Sequence, residues 1–435
     1  MPRHKILALI LAGGKGSRLE VLTTERAKPV MPFGGTHRLI DFALSNCMHS
    51  RLSDVWVIEQ HQLHSLNEHL SNGRPWDLDR TFGGLQVLPP YTAEAPDEGE
   101  GHEGGFAAGN ADAIYRHRRL IRDFQPDILI VLSADHVYKL DYNDVIRAHI
   151  DRAAQLTIVT KDVPIEEAHR FGTVIVGADN RITEFEYKPE KPRSAKVTTE
   201  VFIYDANVLL STLDELSAPA DDTGSDEESG STALKDFGHE LLPHLVAAGH
   251  AYGYQLESYW RDLGTIESYW RAHIDLLADK PELDLADRSW TIHTFNQQQL
   301  PARIHETARI SNSLISSGCI IRGRVERSVL SPGVIIEEDA VVRDSVILTD
   351  CVVERDARVA FSIVDTEVKI GVGARVGAPP SSGSIDDVND EHLAVIGRCA
   401  QIGSNSIVAA GARVDANDVI EANATRPKAT EQEQS

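Results

Sequence analysis

Gly13, Gly14 and Gly16 stand together with Lys15, Ser17 and Arg18, directly after the apolar run Ile6 to Ala12. Glycines let a chain turn sharply off a strand and bring backbone N–H groups close to an anion. Arg18 and Lys28 add the positive charge that phosphates require. These residue types in this order are suited to holding a polyphosphate. Two other glycine patterns do not apply. A Walker A loop needs Lys-Ser or Lys-Thr after its last glycine, and the dinucleotide fingerprint needs a glycine where Leu19 stands. The stretch reads instead L-x-G-G-x-G-[ST]-R-L from Leu11, with Lys28-Pro29 following. A second candidate group is Asp135, just beyond the apolar run that ends at Ser133. An acid at the carboxyl end of a central strand lies where open α/β sheets place ligand chemistry.

The elements that must carry these residues are legible as patterns. Ile6 to Ala12 is short and apolar on both faces, as expected of a central parallel strand covered by helices. Arg38 to Cys47 reads as a helix with an apolar stripe, Asp54 to Ile58 as a strand, and His61 to Leu70 as a helix with Leu63, Leu66 and Leu70 on one face. Gly109 to Ala113 opens another helix, and Pro126 to Ser133 is a buried strand. Leu156 to Thr160, Thr173 to Val176 and Arg181 to Tyr187 are further strands. Strand and helix alternate up to His273, which predicts an α/β, Rossmann-like, mostly parallel sheet. Thr92 to Gly105 and Ala218 to Ser231 are acidic and are expected to be surface loops.

The last third changes character. Ile335, Val341, Ile347, Val353 and Val359 lie six apart, and so do Ile396, Ile402, Val408, Val414 and Ile420. A six-residue apolar period predicts hexapeptide repeats wound into a left-handed parallel β-helix, each coil stacking its aliphatic side chains on the next. Pro379 to Glu391 interrupts the period and is expected to loop out of the coil. The run Ile310 to Val376 contains no histidine, which disfavours an acyltransferase built on the coils and makes the repeats structural.

At 435 residues the chain is too long for one ordinary core. No stretch is apolar for ~18 residues, so no membrane span is expected. Arg3, His4 and Lys5 before the first apolar run imitate a secretory signal. Cleavage there would take the strand away from the glycine stretch, so the segment reads as retained and the protein as cytoplasmic. A net charge of −23 argues against nucleic-acid and anionic-membrane partners, though local Lys and Arg can still receive an anionic substrate. Cys47, Cys319, Cys351 and Cys399 show no metal-binding spacing and read as reduced thiols.

The strings Arg26-Ala27-Lys28-Pro29, Arg38-Leu39-Ile40-Asp41-Phe42-Ala43-Leu44-Ser45-Asn46-Cys47, Asp135-His136-Val137-Tyr138, Phe171-Gly172 and Tyr259-Trp260-Arg261-Asp262-Leu263-Gly264-Thr265, added to the glycine stretch, resemble the bacterial glucose-1-phosphate adenylyltransferases, within the nucleotide-sugar pyrophosphorylases. The resemblance implies a nucleotidyltransferase catalytic domain over 1–280, a linker over 281–300, the β-helix over 301–425 and a disordered tail over 426–435. It implies ATP and a sugar 1-phosphate as substrates, Mg²⁺ as cofactor, small anionic effectors and a homotetramer. By resemblance Leu11, Gly13, Gly14, Gly16, Arg18 and Lys28 hold the nucleotide, with Arg18, Lys28 and Asp135 catalytic. Asp135 and Asp262 would hold the metal, and Gly172, Lys188 and Thr198 the sugar phosphate. Read without the resemblance, Asp262 is a partner for Arg261 or a helix cap, and Lys188 a solvated charge.

Departures from the family pattern cluster on the sugar side. Ala107 stands where the family has a sugar-contacting tyrosine, Tyr187 where it has a glutamate, and Thr198-Thr199-Glu200 where it has Ser-x-Gly. An inward carboxylate at Glu200 would disfavour a phosphorylated sugar. In the effector region Glu25 replaces a basic residue beside Arg26, while Arg38 is kept. The pattern leaves open an adenylyltransferase for glucose 1-phosphate, a transferase for another sugar 1-phosphate, and a weakly active regulatory subunit.

Overall fold

Nearly continuous burial along Ile6–Ala12, Asp54–Glu59 and Ile128–Ser133 places these segments at the centre of a sheet, as their continuous apolar character requires. The structure is a computed structural model that describes residues 4–13, 16–60, 62–90, 107, 109–217, 236–295, 298–380 and 385–428. The acidic stretches 92–105 and 218–231 lie outside the described residues, as do Gly14, Lys15 and residues 429–435. The chain divides into two compact units, one of Met1–Gly14 with Phe42–Trp260 and one of Lys15–Asp41 with Arg261–Ser435. Residues 15–41, expected to lie with the α/β sheet, thus pack in the unit that holds the repeats.

The first unit contains a sheet of nine strands: β1 (Ile6–Ala12), β2 (Asp54–Glu59), β3 (Gly84–Leu88), β4 (Ile128–Ser133), β5 (Leu156–Asp162), β6 (Gly172–Val176), β7 (Ile182–Tyr187), β8 (Lys196–Asp205) and β9 (Ala251–Gln255). The order runs β7-β6-β8-β4-β1-β2-β3, with β5 beside β8 and β9 beside β5. β1 pairs in parallel with β2 and β4, and β2 with β3, giving the Rossmann-like half. β8 runs antiparallel to β4, β5 and β6, so the sheet is mixed beyond β4. Helices Ile40–His49 and Tyr142–Asp151 are tied to the strand ends by buried polar groups. The Asn46 side chain donates to the Tyr138 carbonyl (3.2 Å) and accepts from the Leu140 N–H (3.3 Å), and the Tyr142 N–H donates to Ser50 Oγ (2.8 Å). These bonds hold the chain that leaves β4 through Asp135.

In the second unit three parallel sheets of seven, seven and six strands stack along the coils of the left-handed β-helix. Ile321, Ile336, Val353, Ile370, Ile402 and Ile420 pair rung to rung and are all buried. Each such side chain contributes about 1.5–3 kcal/mol. Part of the period differs from the sequence reading. Inward positions in the first run are Ile336, Val342, Ile347, Val353 and Val359, whereas Ile335 and Val341 are only half-buried. The step from Val342 to Ile347 is one residue shorter, because that corner turns through fewer residues. Many corners rest on left-handed residues, including Asp339, Asp350, Asp356, Asn405 and Asn417, the side chains that tolerate that conformation. The last rung, Thr425–Arg426, pairs with Ile407–Val408 and carries the coil to the first residue of the expected tail.

Two buried histidines give the fold an acid sensitivity. His149 in the first unit meets Thr157 Oγ1 at 2.9 Å. His273 in the second donates from Nδ1 to the Tyr269 carbonyl (2.8 Å) and lies tilted against the Phe33 ring. Burial pushes both down from 6.5 to about 4. Both are therefore neutral in the folded state and protonate more readily once unfolded. Their contribution is complete above the unfolded pKa and is lost as pH falls toward 4. Each pH unit below 6.5 should remove up to about 1.4 kcal/mol per histidine. Urea midpoints should fall between pH 7 and pH 5, above the carboxylate range; equal midpoints would contradict this.

Candidate functional site

The chemistry-bearing residues fall into one group per unit, and each group is described within its own unit. In the first, β4 delivers Asp135, whose Oδ1 accepts from Ser133 Oγ. His136 is 4% exposed and its Nδ1–H donates to the Thr199 carbonyl at 3.0 Å, which leaves Nε2 3.5 Å from Asp135 Oδ1. Thr199 and Glu200 lie on a bulge of β8, where the five residues from Thr198 to Phe202 face three of β5, Ile158 to Thr160. Thr199 Oγ1 donates to the Val159 carbonyl (3.0 Å), and Glu200 takes φ +54°. The bulge turns Glu200 inward, so one ligand atom each of Asp135, His136 and Glu200 lie within 4.8 Å of one another. Two carboxylates and an imidazole nitrogen form a donor set that fits a divalent cation.

The predicted sugar-phosphate residues follow in the same unit. A Cβ on Gly172 would fall 2.9 Å from the Phe185 ring and 3.4 Å from Thr198 Oγ1, so only glycine leaves that surface open. Lys188 is exposed, sits at φ +44°, and carries its Nζ 4.7 Å from the Tyr187 ring centre. Tyr187 itself is turned to the segment after residue 235. Its hydroxyl donates to Asp236 Oδ2 (2.5 Å), and a Cβ on Gly238 would overlap its ring. Ala107 packs against the sheet's apolar core. Gly13 faces Gln60, whose Cδ would lie 2.7 Å from any Cβ there, and Leu11 is half-buried.

In the second unit Lys28 and Asp262 are both buried, with Lys28 Nζ 3.6 Å from Asp262 Oδ1. Arg261 turns instead to Asp275 at 3.1 Å. A Cβ on Gly264 would lie 2.8 Å from Asp262 Oδ2 and 3.2 Å from Arg18 Nη2. Arg18 and Asp262 thus meet at Gly264, and Lys28 reaches Asp262. Gly16 holds φ +66° and its carbonyl accepts from Thr23 Oγ1 (2.9 Å) and the Leu19 N–H (2.8 Å). The effector candidates lie in the same unit. The Arg26 guanidinium is buried against the Asp365 carboxylate, itself 1% exposed and also accepting from the Thr366 N–H (2.6 Å). Glu25 accepts from Asn417 Nδ2 at 2.9 Å. Burial pushes the Arg38 guanidinium below its ordinary range, against the pull of Asp41.

Sequence reasoning did not single out His136 or Gly264 and treated Glu200 only as a departure. His136 could have been found from its place beside Asp135. The meeting of Glu200 with Asp135 depends on the bulge, which no local pattern announces.

Residues 7–279 match the family model described as nucleotidyl transferase, and residues 299–387 match that of the GlmU-like C-terminal hexapeptide. These define a nucleotidyltransferase module followed by hexapeptide coils. The glucose-1-phosphate adenylyltransferase of Fervidobacterium nodosum is 37% identical over 424 residues, covering 96% of this chain and 98% of the relative. Those of Pseudothermotoga lettingae and Thermomicrobium roseum are 42% and 41% identical, over 78% and 86% of this chain and 76% and 83% of their own. The chain belongs to the glucose-1-phosphate adenylyltransferase family. Nucleotidyltransferases of this family generally use a divalent metal ion. No helix among the described residues is long and apolar enough to cross a membrane.

Proposed function

We propose that this protein forms ADP-glucose and pyrophosphate from ATP and α-D-glucose 1-phosphate, for glycogen synthesis in the cytoplasm, with Mg²⁺ and as a homotetramer. The observation that carries this reading is the likeness along nearly the whole chain, and along nearly the whole length of the relative, to a protein of that name. The sugar phosphate is already an anion, so its oxygen can attack the α-phosphorus of ATP without a general base. The new O–P bond forms as the bond to the β-phosphate breaks, and pyrophosphate leaves with its charge. The work left to the protein is to align two polyanions and to neutralise that charge. Leu11, Gly13, Gly14 and Gly16 would place the nucleotide, and Arg18 and Lys28 would meet its phosphates. Asp135 and Asp262 are the carboxylates assigned to the metal, which when bound offsets phosphate charge. Lys188 would grip the sugar phosphate, with Gly172 and Thr198 lying against the sugar.

The test is pyrophosphate release from the purified protein with four nucleoside triphosphates against several sugar 1-phosphates. ATP with glucose 1-phosphate should be the best pair. Ala107 offers no hydroxyl and Tyr187 is tied to Asp236, so the sugar is read by fewer polar groups than in the family pattern. The KM for glucose 1-phosphate should therefore stand roughly ten-fold above that of relatives, with an ordinary KM for ATP. Ala107→Tyr should lower it. Good turnover of a different sugar 1-phosphate would favour the shifted-sugar reading. No turnover, with altered kinetics of an active homologue, would favour a regulatory subunit.

Glu25, Arg26 and Arg38 are the residues assigned to an anionic effector. With Arg26 already facing Asp365, fructose 1,6-bisphosphate should activate less than two-fold in a saturation assay. Strong activation would oppose this.

A further inference from the structure

We propose that Asp135, His136 and Glu200 form a three-ligand cation site with mixed nitrogen and oxygen donors, which takes Mn²⁺ in the absence of nucleotide and in preference to Mg²⁺. The inference rests on the reading of Asp135 as a metal carboxylate and adds two ligands to it.

Four observations within the first unit carry it. The three donor atoms lie within 4.8 Å of one another. The histidine is oriented from behind, since its Nδ1–H is committed to the Thr199 carbonyl and its Nε2 lies 3.5 Å from Asp135 Oδ1. A metal-ligating imidazole is held in this way, its second nitrogen donating to a carbonyl so that the ligating tautomer is fixed. Glu200 is kept at φ +54° by the β8 bulge, a conformation uncommon outside glycine, and it is this bulge that swings the carboxylate to the other two groups. Finally, Trp260 stands edge-on to His136, with ring centres 5.3 Å apart. Its indole N–H is buried without a hydrogen-bond partner among the described residues. A buried donor left unspent calls for an acceptor from outside the protein, such as a metal-bound water or phosphate oxygen.

The donor set decides the metal. Mg²⁺ demands oxygen ligands and keeps several waters, so it usually relies on one or two carboxylates together with substrate phosphates. An imidazole nitrogen adds little for Mg²⁺ but strengthens binding of transition ions, among which Mn²⁺ also accepts carboxylates. Three protein ligands therefore let the metal bind before the nucleotide.

The test follows the six-line EPR signal of free Mn²⁺ during titration into the full chain, with no nucleotide present. The parent should bind one Mn²⁺, and a hundred-fold excess of Mg²⁺ should not displace it. Glu200→Gly, which suits the left-handed backbone and so should fold, is expected to weaken binding ten-fold or more, as is His136→Gln. Mn²⁺ should also quench Trp260 fluorescence in the parent and not in Glu200→Gly. Binding unchanged in Glu200→Gly, or no binding without nucleotide, would overturn the proposal. In the latter case Glu200 serves as a charge partner of His136. Neither result touches the role of Asp135, which is judged separately from turnover of its own variant with Mg²⁺ and ATP.

Discussion

Asp135→Asn is expected to lower turnover by roughly a hundred-fold or more while the protein melts as the parent does, because a metal carboxylate supplies several kcal/mol of charge stabilisation in phosphoryl chemistry. The side chain stands at the mouth of β4 and is partly exposed, so no apolar packing depends on it. The Ser133 hydroxyl donates to its Oδ1, and an asparagine oxygen can accept that bond equally well. The comparison is made at saturating Mg²⁺, with melting followed in parallel. Turnover within a few-fold of the parent would remove Asp135 from the reaction.

The second large effect is on stability. In the second unit Arg26 and Asp365 are 10% and 1% exposed at their side chains and face each other. Removing one partner leaves a buried charge uncompensated, which costs about 3–5 kcal/mol. Asp365→Ala should therefore lower the melting temperature of the transition that carries this unit by about 10 °C. Arg26→Met with Asp365→Leu removes both charges and should recover most of that loss, since a buried pair gains little over apolar groups of similar volume. Calorimetry of the parent, single and double variants forms the cycle. A single variant as stable as the parent would mean that water reaches Arg26 and that the pair is not structural.

Much of this molecule follows from short-range pattern. The strand Ile6–Ala12 and the glycines after it are adjacent in the chain, so steric and charge requirements for a phosphate loop can be read without knowing the fold. The second run of coils is legible for the same reason. Ile396, Ile402, Val408, Val414 and Ile420 are inward at every sixth residue, and each repeat needs only its neighbours to bury its side chain. The same rule mistook Ile335 and Val341 for inward positions, because the length of a corner is set by backbone turning and not by hydrophobicity. Longer-range folding was needed elsewhere. Residues 15–41 pack in the unit that holds the repeats through contacts such as Tyr269 with the Pro32 carbonyl, 237 residues apart, and Arg26 with Asp365, 339 apart. That Asp262 lies beside Lys28, while its chain neighbour Arg261 turns to Asp275, is likewise decided by the fold. Glu200 could be placed only once β8 was seen to bulge, since residues left out of the ladder with β5 take side-chain directions that strand alternation does not give. Charged groups choose partners by register and burial, which the whole chain sets together, whereas apolar periodicity is imposed by each element on itself.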